Sequence, residues 1–269
     1  MIMTNFLRDR RSVRDFKIKN LDSDVLDKIN QILRELEKEN KHGGFNFKIY
    51  ENGEFIHNSL EGLAGYSGVM VEAPHYIAID LLNKEEKTII YSGYYMEKLI
   101  TKLNELGLDT CWVSVYDVEM KKRKEIFGES TNEINFILAF GLPKRKNPFV
   151  PVPFSERKSI EDIVFDKEIG KPMDTELLEV RGLGDIFFYL RFAPSIRNLQ
   201  PWRFIVTDDK IHLVVEYEET PPLIDAGIAM YYFEALAYLQ GTKNKWSLLD
   251  GFIHEGKVSN YKYIAEYQL

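Results

Sequence analysis

The stretch FAPSIRNLQPWRFIV (Phe192–Val206) sets a dense group of polar side chains directly ahead of a run that reads as a buried strand. Pro194 and Pro201 bracket Ser195, Arg197, Asn198 and Gln200, and Trp202 leads the strand-like run. Each proline fixes its own φ and restricts the residue before it. Ser195, Asn198 and Gln200 therefore stand on a rigid loop that offers donors and acceptors in fixed directions. Such a loop suits a flat heterocycle edged with carbonyls and ring nitrogens. Capping of the neighbouring strand and helix is the plainer use of the same groups. The late position of the stretch, after residue 190, bears on the architecture.

The chain has 269 residues, 45% hydrophobic and 29% charged, enough for one large or two small globular domains with a substantial core. A net charge of −7 opposes nucleic acid and anionic membrane as partners. The basic run Lys121–Lys124 reads as a solvated helix face. A single cysteine, Cys111, permits no internal disulfide and suits a reducing compartment. No apolar window approaches the ~20 residues of a membrane span, and no secretory leader is recognisable at the start. The expectation is a cytoplasmic protein.

Helical spacing joins Val25, Leu26, Ile29, Ile32, Leu33 and Leu36 and stops at Gly43-Gly44. FNFKIY reads as a strand, as does the run from about His75 to Leu81 behind Pro74. A helix is expected from Gly93 to Gly107, then two buried extended pieces, TCWVSV and INFILAFGLP. Asn147–Phe165 is proline-broken and reads as a long crossing segment. Asp174–Tyr189 reads as one helix weakened by Gly182 and Gly184. A hairpin across Asp208-Asp209 follows, then the apolar helix AGIAMYYFEALAYLQG and a tail rich in Tyr and Lys.

The helices SGYYMEKLITKLNELG and AGIAMYYFEALAYLQG resemble one another. Each opens with a small residue and Gly, places Met three positions on (Met96, Met230) and closes with Gly fourteen after the first (Gly107, Gly241). Each also follows an Ala-Pro pair that introduces a strand, Ala73-Pro74 and Ala193-Pro194. This points to a diverged internal duplication, two related halves about a pseudo-twofold, against the alternative of chance likeness between buried helices.

Arg10, Arg11, Ser12 and Arg14 suit a phosphate, because guanidinium forks bind oxygens in pairs and a hydroxyl fills a remaining position. Extended spacing would put Arg10, Ser12 and Arg14 on one side; a solvated basic terminus is the plain alternative. The five histidines show no HxH or HxxxH spacing and, with one cysteine, make no metal site. Dinucleotide-fold, P-loop and nucleophile-elbow motifs are absent. Cys111 reads as a buried small hydrophobe.

Taken together, RRSVRDF, APSIRNLQPWRFIV, LGLDTCWVSV, ILAFGLP and SERKSIEDIVF resemble the FMN-dependent nitroreductase family, in short blocks over most of the chain. The resemblance implies an α+β, nitroreductase-like fold with mixed or antiparallel sheets flanked by helices. It implies that Arg10, Ser12 and Arg14 meet the FMN phosphate and ribityl chain, with Arg157 as a late arginine completing phosphate binding. Pro194, Ser195 and Asn198 would form the turn that a partner subunit lays against the cofactor in the family's dimers, with Gln200 in support. The loop Trp112, Val113, Ser114, Val115 would present backbone amide near flavin N5, with Ser114 and Val115 the closest matches. No protein catalytic residue is implied, since the flavin carries the redox chemistry. NAD(P)H would be the co-substrate, and an electron-poor small molecule such as a nitroaromatic or quinone the acceptor.

This chain departs from the family pattern in two ways. The serine–asparagine turn ordinarily comes early, where this chain has KHGGFNFKIYENGEFIHN, and the N5 loop lacks its usual glycine. The expectation is a rearranged, duplicated chain that imitates the dimer, with halves 1–165 and 166–269 forming one compact FMN-binding unit. It would act as a monomer, with a further homodimer as the alternative. The competing functional reading is a flavin or small-ligand binder of the same fold without catalysis.

Overall fold

Apolar residues at three- and four-residue spacing fold Ser23–Glu39 into helix α1, which buries Ile29, Leu33 and Leu36. The structure, a computed structural model, describes residues 12–65, 68–144, 155–251, 253–255 and 259–269. These fall into two compact units. One holds residues 12–88 and 95–144; the other holds residues 89–94 and those from 155 onward.

In the first unit the chain continues through β1 (Phe45–Tyr50), α2 (Gly53–Leu60), β2 (His75–Leu81) and α3 (Glu86–Glu105), whose residues 89–94 belong to the second unit. It then runs through β3 (Asp109–Ser114), α4 (Met120–Phe127) and β4 (Phe136–Gly141). The strands form an antiparallel sheet in the order β1-β2-β4-β3. Its core joins Val13, Phe16, Ile56, Tyr76, Val113 and Ile137. The basic run lies on α4, yet Arg123 is buried and donates to the Ile134 carbonyl and Asn135 Oδ1, both at 2.7 Å.

The second unit contains α5 (Ile160–Ile163), β5 (Val164–Asp166), α6 (Thr175–Val180), α7 (Gly184–Leu190), β6 (Trp202–Val206) and β7 (Lys210–Tyr217). After them come α8 (Leu223–Leu239), β8 (Ser247–Leu248), β9 (Ile253–Glu255) and β10 (Asn260–Gln268). The sheet order is β5-β6-β7-β10-β8, with β9 also on β10; β5 runs parallel to β6 and the other pairs are antiparallel. The fold is thus α+β with mixed sheets and flanking helices. Its core is aromatic: Phe233 touches Phe204, Trp246 and Tyr267 at centroid distances of 6.1, 5.1 and 4.9 Å.

Several sequence expectations change. Asp174–Tyr189 is two helices, because Gly182 turns at φ 72° between them. The part of the expected crossing segment from 147 to 154 lies outside the described residues, and its end forms α5 and β5. The Tyr- and Lys-rich tail forms β10, whose alternation is broken by a bulge between Tyr263 and Ala265. Strand β6 begins at Trp202, so a turn separates it from Ala193-Pro194. Cys111 is buried, as its flanks suggest. Among the described residues no helix is long and apolar enough to cross a membrane, and no cluster of metal-ligating side chains occurs.

Helices α3 and α8 both start before the glycines read as their openings, at Glu86 and Leu223. Gly93 and Gly227 are interior positions of close approach. A Cβ on Gly93 would lie 2.2 Å from the Ile224 carbonyl oxygen, and one on Gly227 would lie 1.8 Å from that of Ile90. Each glycine meets the residue three before the other. The likeness extends further at a constant offset of 134 residues. Both helices end in the same left-handed glycine cap, with Gly107 at φ 76° and Gly241 at φ 91°. The Leu108 amide bonds the Leu103 carbonyl at 3.0 Å, and Thr242 bonds Ala237 at 3.0 Å. Trp112 and Trp246 follow, each donating its indole N–H back to its own helix, to Glu97 Oε1 at 2.6 Å and to the Met230 carbonyl at 3.2 Å. The spatial order of strands β1-β2-β4-β3 recurs as β6-β7-β10-β8, with the long helix joining the second strand in sequence to the third in each.

Because the atom opposing each glycine is backbone, it cannot rotate away. Gly227→Ala and Gly93→Ala are each expected to destabilise by about 3 kcal/mol or more, read from urea unfolding midpoints.

His75 is fully buried in β2. Its Nε2 accepts from the Leu21 amide at 3.0 Å, and its Nδ1 lies 2.9 Å from the Glu51 carbonyl. Both contacts are made by the neutral ring with its proton on Nδ1. Burial pushes its pKa below the ordinary 6.5, against a smaller opposing pull from the Glu51 carbonyl. Burial also lowers His42 and His212. The unfolded chain then takes up these protons first. Stability is full above pH 6.5 and is lost as pH falls from there toward the lowered folded-state values. Urea midpoints are expected to decline from about pH 7 to about pH 5.5, with a shallower decline in His75→Asn, whose remaining slope comes from His42 and His212.

Candidate functional site

Chain geometry at the turn opens with α7, whose last carbonyls are capped locally: Ala193 N–H bonds the Leu190 carbonyl at 2.8 Å. Ser195 is extended, Ile196–Asn198 make one 3-10 turn, and the chain then enters β6. Arg197, Asn198 and Gln200 have φ of 51°, 58° and 50°, three of the four left-handed non-glycine residues among those described. Each such residue costs roughly 1–2 kcal/mol, so the surroundings must over-determine the shape.

They do so through the segment 156–158. Arg157 donates one NH1 to the Ala193 carbonyl at 2.9 Å and to Asn198 Oδ1 at 3.0 Å. Asn198 Nδ2 donates to the Glu156 carbonyl at 2.9 Å. Gln200, buried, accepts from the Lys158 amide at 2.8 Å and donates to the carbonyls of Asn198 at 3.1 Å and Glu156 at 3.3 Å. The Gln200 amide bonds Ser195 Oγ at 2.8 Å, which leaves the hydroxyl hydrogen of Ser195 to donate elsewhere. Asp225, at the start of α8 and almost fully buried, accepts from the Ile196 amide at 3.2 Å. Beneath the turn, buried Arg203 donates to the Gln200 and Trp202 carbonyls at 2.8 and 2.7 Å and pairs with Glu216. Burial, then the nearby Arg203, pushes the Lys158 ammonium below its usual range.

The structure therefore brings together Arg157, Ser195, Asn198 and Gln200 as one network next to Pro194. Asp225 was missed by sequence reasoning; a lone carboxylate opening an apolar helix, PLIDAGIAM, was its signal. Arg197 was not assigned either. It is exposed on the turn, with no hydrogen bond or ion pair among the described residues.

In the first unit, Val13 is buried and its amide bonds the Thr110 carbonyl at 3.0 Å, while Ser12 is half-buried and Arg14 exposed. Neither side chain has a hydrogen bond or ion pair among the described residues. Arg10 and Arg11 lie outside them. Trp112, Val113 and Ser114 are strand residues of β3, opposite Leu138, Ile137 and Phe136. The fully buried Val115 gives its amide to the Asn135 carbonyl at 2.9 Å. The Ser114 carbonyl accepts from the Gly65 amide at 3.1 Å on the open edge of the sheet. Alternation along a strand then turns the Ser114 amide to that same edge. Ser114 rather than Val115 has an amide to offer.

With this geometry in view, the chain belongs to the family described as "Putative TM nitroreductase", whose profile matches residues 3–237. Its fold is similar to that of a "putative nitroreductase" from Thermotoga maritima, at 20% identity and TM-score 0.59, over 97% of this chain and 93% of that one. An FMN-dependent nitroreductase from Clostridium difficile is 23% identical over 55% of this chain and 90% of that one, at TM-score 0.42. Nitroreductase A from Vibrio parahaemolyticus is 15% identical over 68% and 82%, at TM-score 0.47. Among curated proteins none matches.

Gln200→Glu keeps the acceptor for Lys158 but sets an oxygen against two carbonyls. It is expected to destabilise the chain by about 2 kcal/mol, read from urea unfolding, because buried polar groups lose their partner.

Proposed function

We propose that the chain is an FMN-dependent oxidoreductase that uses NAD(P)H to reduce a nitroaromatic, a quinone or a similar electron-poor small molecule. The observation that carries this reading is the strained turn 194–200 in a chain of nitroreductase family. Strain of this kind persists where a fixed shape has a use. The donor set fits FMN: guanidinium and hydroxyl groups at Arg14 and Ser12 for the phosphate, with Arg10 and Arg11 beside them in sequence. The Ser195 hydroxyl hydrogen and the Ser114 amide suit a carbonyl-edged ring. Bound FMN would supply the two-electron chemistry, accepting a hydride from reduced nicotinamide and delivering it to the acceptor. Arg14 and its neighbours would offset desolvation of the phosphate. Pro194, Ser195 and Asn198 would hold the ring's polar edge, with Gln200 keeping the turn in shape. The Ser114 amide would stabilise negative charge on the reduced ring.

The same reading takes the chain as a duplication, with halves near 1–165 and 166–269, so that one polypeptide stands for the family's dimer. The shared strand order, the shared glycine caps and the reciprocal glycine contacts support it. A second reading, a flavin binder without turnover, is favoured by the engagement of the Val115 amide with Asn135.

Purified protein is expected to be yellow or to gain a flavin spectrum on mixing with FMN. It should bleach anaerobically with NADH or NADPH and recover on adding a quinone or nitroaromatic. Flavin binding without bleaching selects the binder; no flavin binding sinks both readings. Arg14→Ala is expected to weaken FMN by about tenfold or more while leaving turnover of the loaded protein nearly unchanged.

A further inference from the structure

Residues 157–163, RKSIEDI, repeat residues 10–16, RRSVRDF, at a constant offset of 147, which would start the second half before residue 157 rather than at 166. Arg, Ser and Asp recur in place, Lys replaces Arg, and Ile replaces both Val and Phe. Ile163 and Phe16 are each 1% exposed, so the two blocks bury the same position. The exception is electrostatic: Arg14 corresponds to Glu161. The first block sets three cations against one carboxylate, the second two against two. A phosphate dianion gains little at the second.

The polar groups of the second block are also turned to other uses. Asp162 accepts from the Ser159 amide at 3.2 Å and from its hydroxyl at 2.9 Å, closing a capping box on α5. The Lys158 amide is given to Gln200 and the Glu156 carbonyl to Asn198 and Gln200. Arg157 bridges the Ala193 carbonyl, where the turn begins, to Asn198 Oδ1, where the backbone is left-handed. By contrast, the Ser12 hydroxyl has no hydrogen bond among the described residues.

We propose that residues 157–163 are a second copy of the cation block that no longer takes phosphate. Its Arg157 is a positioning residue that holds Asn198 and the turn 194–200 in shape, so that the chain takes one FMN. This rests on the proposed FMN reading and replaces the role that family resemblance implies for Arg157. A phosphate ligand and a positioning residue differ in one measurable respect. Loss of a phosphate ligand erases the preference for FMN over riboflavin, whereas loosening the turn weakens both alike.

The test is titration of the wild-type chain, Arg157→Ala, Arg157→Lys and Arg14→Ala with FMN and with riboflavin, with amide hydrogen exchange on the flavin-free proteins. Arg157→Ala is expected to weaken both flavins by the same factor, about tenfold, with their ratio kept, since charge-assisted hydrogen bonds are lost. Arg14→Ala is expected to lower the ratio, and the wild-type chain to bind one FMN. The protected amides of Ile196, Asn198, Leu199 and Gln200 should exchange about tenfold faster in Arg157→Ala, with the rest of the chain unchanged. Should Arg157→Ala fail to fold, Arg157→Lys is expected to show the same pattern more weakly, since one ammonium lacks the planar fork. A ratio that collapses in the Arg157 variant, two FMN per chain, or unchanged exchange in the turn overturns the proposal. If the wild-type chain binds neither flavin, the FMN reading fails by itself, and the exchange result still decides whether Arg157 positions the turn.

Discussion

The crossing of Gly93 and Gly227 is the tightest constraint in the second unit. With no Cβ at either position, the backbone of each helix reaches the carbonyl three residues before the other glycine. A contact in which i meets j while its counterpart j meets i is what an approximate twofold axis generates. The close approach has consequences along α8, which buries nearly every residue from Leu223 to Ala237. It carries Phe233 into the aromatic core and Glu234 into a buried cluster, where the carboxylate accepts from Tyr94 at 2.7 Å and from the Trp246 amide at 3.0 Å. An uncompensated carboxylate at that depth would be costly; this one is paired with Lys245 as well.

Downstream of that packing, Asp225 on the first turn of α8 is an anchor for the strained turn through the Ile196 amide. The left-handed residues are then held from the other side by Arg157 and the backbone of 156–158. The turn is held by partners for the amides of Ile196, Asn198, Leu199 and Gln200 and for the carbonyls of Ser195, Ile196, Asn198 and Gln200, not by its two prolines alone. This divides the labour among its polar residues. Gln200 and Asn198 mostly shape the loop, while Ser195 keeps a hydrogen to donate and Arg197 faces outward.

The elements with clean periodicity were legible from sequence. FNFKIY and HYIAIDL became β1 and β2, and the Asp208-Asp209 hairpin joins β6 to β7. What escaped had physical causes. Gly93 and Gly227 looked like helix starts because glycine is a poor helix former, and only a partner backbone explains them inside a helix. Strand β10 was hidden by its bulge and by a lysine, Lys262, that is buried. At the candidate site the polar residues of the turn were visible, but their partners, the Arg157 guanidinium, the Lys158 amide and the Glu156 carbonyl, lie 41 to 44 residues away in sequence, which no local pattern reveals. The edge of β3 was similar: that the Val115 amide turns to β4 and the Ser114 amide to the open edge follows from strand register alone.

A duplicated chain has a freedom that a symmetric dimer lacks. In a homodimer every substitution enters both sites, so a charge reversal such as that between Arg14 and Glu161 would remove phosphate binding from both at once. Once the two copies are written separately, one can keep the cations and the other the turn. On the proposed duplication, the early counterpart of the turn would fall at KHGGFNFKIY, where Phe45 and Phe47 feed the core through β1. On the same reading, the late counterpart of the cation block would be a brace. Groups selected to meet a phosphate are strong, charged donors, and a strained loop with exposed carbonyls needs donors of that kind. The loss of a second site and the fixed shape of the first would then be two results of one rearrangement.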